Sequence, residues 1–142
     1  MQLTTKGRYA VTAMLDLASN DSTKPVTLDM ISQRQNISLS YLEQLFAKLR
    51  KASLVRSVRG PGGGYLLNVN AVDVTLTQII EAVDENIDLR RCHGSKYCLR
   101  GKQCLSHHLW CEVSDQIRGF LSTRNLQQVI DDYKINQDIQ LH

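Results

Sequence analysis

The chain has 142 residues, 42% hydrophobic and 22% charged, with a net charge of +3, which is ordinary for one folded soluble domain with some added elements. No run of about 18 apolar residues appears, and Met1 to Gly7 is polar with no apolar signal core, so neither a membrane span nor export is expected and the expected location is the cytoplasm. The charge is unevenly placed: residues 1–70 carry nine Lys/Arg against four Asp/Glu, whereas residues 71–142 carry eight against ten. A basic first half suits a phosphate-binding surface, because each neutralised phosphate releases condensed counterions.

Along the chain, Thr4 or Thr5 caps a first helix whose Ala10, Val11, Met14, Leu17 and Ala18 recur at helical spacing. Asn20 to Pro25 is turn material. Thr27 caps a short second helix with Leu28 and Ile31, and Asn36-Ile37-Ser38 interrupts it. A third helix follows with the apolar stripe Leu42, Leu45, Phe46 and Leu49. Ser40 with Glu43 forms a possible capping box, with Ser38 as a rival cap. Two short helices about a tight turn, the second polar at its start, read as a helix-turn-helix. Leu54–Val58 and Tyr65–Val69 are rich in strand formers and flank Arg59-Gly60-Pro61-Gly62-Gly63-Gly64, which predicts a β-hairpin in the position of a wing. Thr75 or Thr77 caps a helix bearing Ile79, Ile80 and Val83. Residues 88–104 read as a loop. Leu105 to Leu121 forms a longer helix with Trp110, Val113, Ile117 and Phe120 at heptad-like spacing. A last helix around Leu126 to Tyr133 precedes a polar tail. The expected architecture is mainly α: a winged helix-turn-helix with a two-stranded wing over residues 1–87, a metal-binding loop at 88–104, and a dimerisation helix, short helix and tail over 105–142.

Recognition helices present their N-terminal residues to base edges. Here those are Ser38, Ser40, Tyr41, Glu43 and Gln44, off the apolar face. Gln pairs with adenine, Glu accepts from the cytosine amino group, and Ser does either. Glu43 can also reject a site that lacks its donor, because a carboxylate near phosphates is otherwise repelled. The plainer reading makes it a capping-box residue. Lys48, Arg50, Lys51, Arg56 and Arg59 follow with no acid among them. Alone they would be a solvated face, but beside a helix-turn-helix and a wing they suit phosphate contact. Arg59, Gly60 and Pro61 form the wing tip, where Arg59 is expected to enter or skirt a minor groove.

The four cysteines, Cys92, Cys98, Cys104 and Cys111, fall close together rather than along the chain as a disulfide framework would. Cys92-x5-Cys98-x5-Cys104-x2-His107 offers three thiolates and an imidazole, a donor set for zinc or an iron–sulfur cluster. The five-residue gaps exceed the usual zinc-finger spacing and favour the larger group. Arg90, Arg91, Lys96, Arg100 and Lys102 surround the cysteines and stabilise anionic thiolates. His108 and, less well, His93 rival His107 as the nitrogen ligand, and Cys111 reads as a small buried hydrophobe. No catalytic motif surrounds the Cys104/His107 pair, so a thiol enzyme is not expected.

Leu3 to Val11, Ile37 to Leu45, Val58 to Leu67 and the Cys92/Cys98/Cys104/His107 set together closely resemble the iron–sulfur cluster regulators among the winged-helix transcription regulators, over nearly the whole chain to about residue 125. That resemblance implies a [2Fe–2S] cluster on Cys92, Cys98, Cys104 and His107, which decides between the two adjacent histidines. It also implies a homodimer joined through the long helix, and repression and activation of iron–sulfur assembly genes by binding promoter DNA. Glu43 is then a residue that discriminates promoter classes, and the assembly machinery is the expected cluster donor. A zinc-stabilised repressor using the same donors and a related nitric-oxide sensor are the alternatives.

Overall fold

The computed structural model describes residues 5–20, 23–83 and 105–141. Among the described residues six helices and one hairpin are formed: α1 (Thr5–Ala18), α2 (Leu28–Gln35), α3 (Leu39–Lys51), β1 (Val55–Val58), β2 (Gly64–Leu67), a 3₁₀ turn (Ala71–Asp73), α4 (Leu76–Ala82), α5 (His107–Ser122) and α6 (Leu126–Leu141). The expected mainly helical winged helix-turn-helix is the observed architecture. The predicted loop at 88–104 lies outside the described residues.

The core gathers one face from each helix of the first half. Ala10, Ala13, Met14 and Leu17 of α1 meet Leu42, Leu45, Phe46 and Leu49 of α3, with Ile31, Val74, Leu76, Ile79 and Val83 around them. Phe46 and Met14 are fully buried, and truncating a side chain like Phe46 to Ala costs about 3–5 kcal/mol. Thr27 caps α2 as expected, accepting the Met30 N–H. Asn36 ends that helix in the left-handed region at φ 54°, which gives the tight turn its direction.

The start of α3 corrects one expectation. Ser38, not Ser40, is the cap: its backbone is extended and its Oγ accepts the Tyr41 N–H at 3.2 Å. Ser40 lies inside the helix, so no Ser40–Glu43 capping box exists. The reason lies in the flanking residues. With Ser38 as cap, the residue before it, Ile37, and the fourth helical residue, Leu42, are both in the core, the arrangement of a hydrophobic staple. With Ser40 as cap those places would fall to Leu39 and Gln44, both exposed.

The strands are antiparallel in the register Val55↔Leu67 to Val58↔Gly64. Leu54 and Val69, included in the predicted strands, lie outside the ladder, although Leu54 O accepts the Asn68 N–H. Val26, just before α2, joins the other edge of β2: its N–H donates to Tyr65 O at 2.9 Å and its carbonyl accepts the Tyr65 N–H at 2.8 Å.

Thr75, not Thr77, caps α4, in a full capping box with Gln78. Thr77 is buried instead, its Oγ1 3.0 Å from Ser122 Oγ at the end of α5. The α5–α6 turn is stitched to the same place by Leu76 N–H to Arg124 O and Leu126 N–H to Val74 O. Asn125 caps α6: its Oδ1 accepts the Gln128 N–H at 2.8 Å, while Gln128 Oε1 accepts the Asn125 N–H at 3.0 Å. Leu126 and Ile130 are buried, and Leu126 belongs to the main core. The last helix runs past Tyr133 to Leu141, where the sequence reads as a polar tail: its residues 131–140 are all exposed, so polarity there reflects a solvated helix and not an absence of one. Among the described residues no helix is long and apolar enough to cross a membrane.

Candidate nucleic-acid interface and metal centre

Ser38, Ser40, Glu43 and Gln44 are exposed at the head of α3, opposite the buried Leu42, Leu45, Phe46 and Leu49. Because Ser38 takes the cap, Glu43 stands in the helix body with no capping partner to reach, and its carboxylate is available to a donor outside the chain. Tyr41 is half-buried, its ring edge-on to Tyr9 of α1 with centroids 5.8 Å apart. That ring ties α3 to α1, a packing role that the sequence reading did not assign. Ser38 likewise carries both a cap and a place at the candidate surface.

The wing is held to the same body at two points. Tyr65 of β2 packs edge-on to Phe46 of α3 with centroids 4.9 Å apart, and the Val26–Tyr65 bonds fasten its outer edge. Beyond that clamp, Arg59, Gly60, Pro61 and Gly62 are exposed. Gly63 N–H donates to Gly60 O at 2.9 Å, and Pro61 followed by Gly62 at φ 74° matches the residues of a type II turn. The tip is thus a rigid turn that carries Arg59 at its entrance. Arg50, Lys51 and Arg56 are also exposed, and Lys48 is half-buried.

Sequence reasoning missed Asp16. It is buried on α1 and accepts from Arg34 Nη2 at 2.6 Å, Arg34 Nε at 3.1 Å and Gln35 Nε2 at 2.8 Å. Its hydrogen bond to the guanidinium, opposed by partial burial, raises the pKa of Arg34. This pair pins the end of α2 to α1. The sequence carries one hint of its place, a lone acid between Leu15 and Leu17 in the apolar spacing of α1, but nothing local names its partners.

Of the expected metal donors, Cys92, Cys98 and Cys104 lie outside the described residues, as does His93. His107 is the first residue of α5 and is only 4% exposed, whereas His108 beside it is exposed. Cys111 is half-buried, and its Sγ stands 3.5 Å from His107 Nε2. His107 and Ser114 are the buried residues of α5. Next to that face, Leu109, Trp110 and Phe120 are exposed, with Val113 and Ile117 half-buried between them. Trp110 Nε1 donates to Ser106 Oγ at 2.9 Å, which fixes the indole at the head of the helix. Among the described residues no group of three potential metal donors comes together.

The family model described as Rrf2, iron-dependent transcriptional regulator, matches residues 3–132. The HTH-type transcriptional regulator IscR of Photorhabdus laumondii is 54% identical over 95% of this chain and 82% of its own length. The protein of the same name from Escherichia coli O1:K1 / APEC is 53% identical over 95% and 83%. Among solved structures, T. potens IscR superposes with a TM-score of 0.78 at 37% identity, covering 96% of this chain and 91% of its own. CymR, the global cysteine regulator of B. subtilis, does so with a TM-score of 0.79 at 32% identity, covering 92% and 97%. The two curated relatives are named as transcriptional regulators and CymR as a regulator. A helix-turn-helix with its wing clamped beside it, matched by a family model over nearly its whole length, makes this chain a DNA-binding regulator and a member of the Rrf2 family of iron-dependent transcriptional regulators.

Proposed function

We propose that this regulator reports the supply of iron–sulfur clusters to the genes that assemble them, as a homodimer whose promoter choice changes with a [2Fe–2S] cluster on Cys92, Cys98, Cys104 and His107. The observation that carries the reading is the burial of His107 at the head of α5, on a helix whose far end is bonded to the DNA-binding body. A ligand nitrogen belongs out of water, and its neighbour His108 is exposed. The donor set fits the group: three thiols and one imidazole, with five basic residues and no acid between Arg90 and His107, suit an anionic cluster. When bound, the cluster supplies an occupancy that depends on cellular assembly capacity, and an imidazole ligand makes that occupancy sensitive to conditions.

The protein's own residues supply the rest. Ser40, Glu43 and Gln44 read base edges with Ser38 and Tyr41 at the helix head, while Lys48, Arg59, Gly60 and Pro61 approach the backbone and the minor groove. Trp110, Val113, Ile117 and Phe120 meet their counterparts in a second copy. Ser122 at the end of α5 holds Thr77 of α4, so a change in the position of α5 is felt in the body that carries α3. A ligand shifts DNA preference only through such a difference between states.

The test is anaerobic isolation with iron and sulfide assays, followed by footprinting of loaded and cluster-free protein on promoters of cluster-assembly genes. Iron and sulfide in equal amounts, with different footprints for the two forms, is the expected result. A colourless protein with stoichiometric zinc and one unchanging footprint would overturn the reading.

A further inference from the structure

We infer that Leu39 is a specificity-determining residue: its side chain reads the C5-methyl group of a thymine in the major groove, beside the base edges offered to Ser40, Glu43 and Gln44. The inference rests on α3 being the helix that enters the groove. Leu39 is the first residue of α3, and recognition helices carry their base contacts at that end. By periodicity it extends the apolar row of Leu42 and Phe46, three and seven residues further on. The row leaves the core at this point: Leu42 and Phe46 are fully buried, whereas Leu39 is 40% exposed. The staple that closes the start of the helix uses Ile37 and Leu42, so Leu39 is not needed there.

Single exposed leucines are common and need no explanation. The company of this one sets it apart. Ser38, Ser40, Glu43 and Gln44 around it are polar and exposed, and Glu43 follows one turn later on the same side of the helix. When such a surface closes on DNA, its polar groups can bond to base edges and phosphates, whereas an apolar group stripped of water needs an apolar partner. The major-groove edges offer one, the thymine methyl. Over any other base the leucine would cover a donor or acceptor without bonding it, which counts against that base. Leu39 and Glu43 thus read different groups, a methyl and an amino group.

The test uses the full-length protein and a duplex selected from a random-sequence pool for tight binding to it. Each thymine of the duplex is replaced in turn by deoxyuridine, which removes the methyl and keeps the base pairing. One thymine per half-site should then weaken wild-type binding roughly fourfold, the effect of leaving one methyl-sized group unburied. Leu39→Ser should weaken binding to the original duplex and erase the difference between thymine and deoxyuridine at that position. Leu39→Met, which keeps an apolar contact, should retain the difference. Because Leu39 is exposed, both variants should melt with the wild type. A duplex in which no methyl matters overturns the inference, and so does a thymine preference that Leu39→Ser leaves intact. Gln44→Ala, selected against the same pool, tells this failure from a deeper one. If it relaxes the choice of base while the leucine variants do not, only the role of Leu39 falls. If neither Leu39→Ser nor Gln44→Ala alters the selected sequence, α3 is not the groove helix and the inference falls with that reading.

Discussion

Gly64 and Arg59 lie five residues apart on the wing and fail in different ways when replaced. A Cβ on Gly64 would stand 2.5 Å from the Val26 carbonyl oxygen, which is backbone and cannot swing aside. Gly64→Ala must therefore push the Val26 backbone away and strain its two bonds to Tyr65. The expected loss is about 1–3 kcal/mol of stability, read as a lower melting temperature, with weakened binding to every promoter. Arg59 is exposed and its replacement disturbs no packing. Arg59→Ala should leave the melting temperature unchanged, weaken DNA binding, and lower the slope of log affinity against log salt by about 1. Equal salt slopes for wild type and variant would remove Arg59 from the phosphate or groove contacts. The glycine-rich turn was legible from its residues, but the need for glycine at Gly64 was not, because it depends on Val26, nearly forty positions earlier. Asp16 was hidden for the same reason: its partners Arg34 and Gln35 become neighbours only once α1 and α2 pack.

Element by element, periodicity located the helices, and local chemistry placed their ends wherever a single cap was on offer. Thr27 is such a case. Where two residues competed, the spacing of the side-chain pattern was not enough. Ser40-x-x-Glu43 satisfies the capping-box spacing, yet Ser38 wins through the burial of Ile37 and Leu42 on either side of it, a cap contributing about 1 kcal/mol. Thr75 wins over Thr77 because Gln78 completes its box. The apolar spacing along α5 was legible too, and its exposure gives it a testable role. Trp110 is 38% exposed and Phe120 56%, large rings that a helix seldom leaves in water without use. On the proposed pairing through this face, replacing Trp110 and Phe120 together with Ala should weaken the dimer by at least about thirtyfold, since central aromatic anchors commonly contribute 2 kcal/mol or more. Sedimentation equilibrium across a dilution series would show monomers at concentrations where the wild type is paired, with the helical signal unchanged. A variant that stays dimeric at every dilution would move the interface off this face.

For the whole molecule, the instructive residues are those that close the body around α1. The core joins α1, α2, α3 and α4 with Leu126 of α6, and the α5–α6 turn is bonded to the start of α4. Sequence reading placed α5 and α6 beyond the DNA-binding part, because nothing local in Leu126 or Asn125 says which helix they will meet. This closure bears on the cysteines. Cys92, Cys98 and Cys104 lie outside the described residues, and the core, the wing and the tie between Thr77 and Ser122 are described from other residues. On the proposed function, replacing all three with Ala should leave the melting temperature close to that of the cluster-free wild type and preserve binding to some promoters. Occupancy stabilises a folded state only by the binding free energy it adds, so the loaded wild type should melt higher than the triple variant and the cluster-free wild type should not. Calorimetry on the three samples, with footprinting of the variant, separates the outcomes. A triple variant that unfolds, or that binds no promoter at all, would show that the cysteine segment is a structural part of the DNA-reading body and that the cluster acts through folding itself.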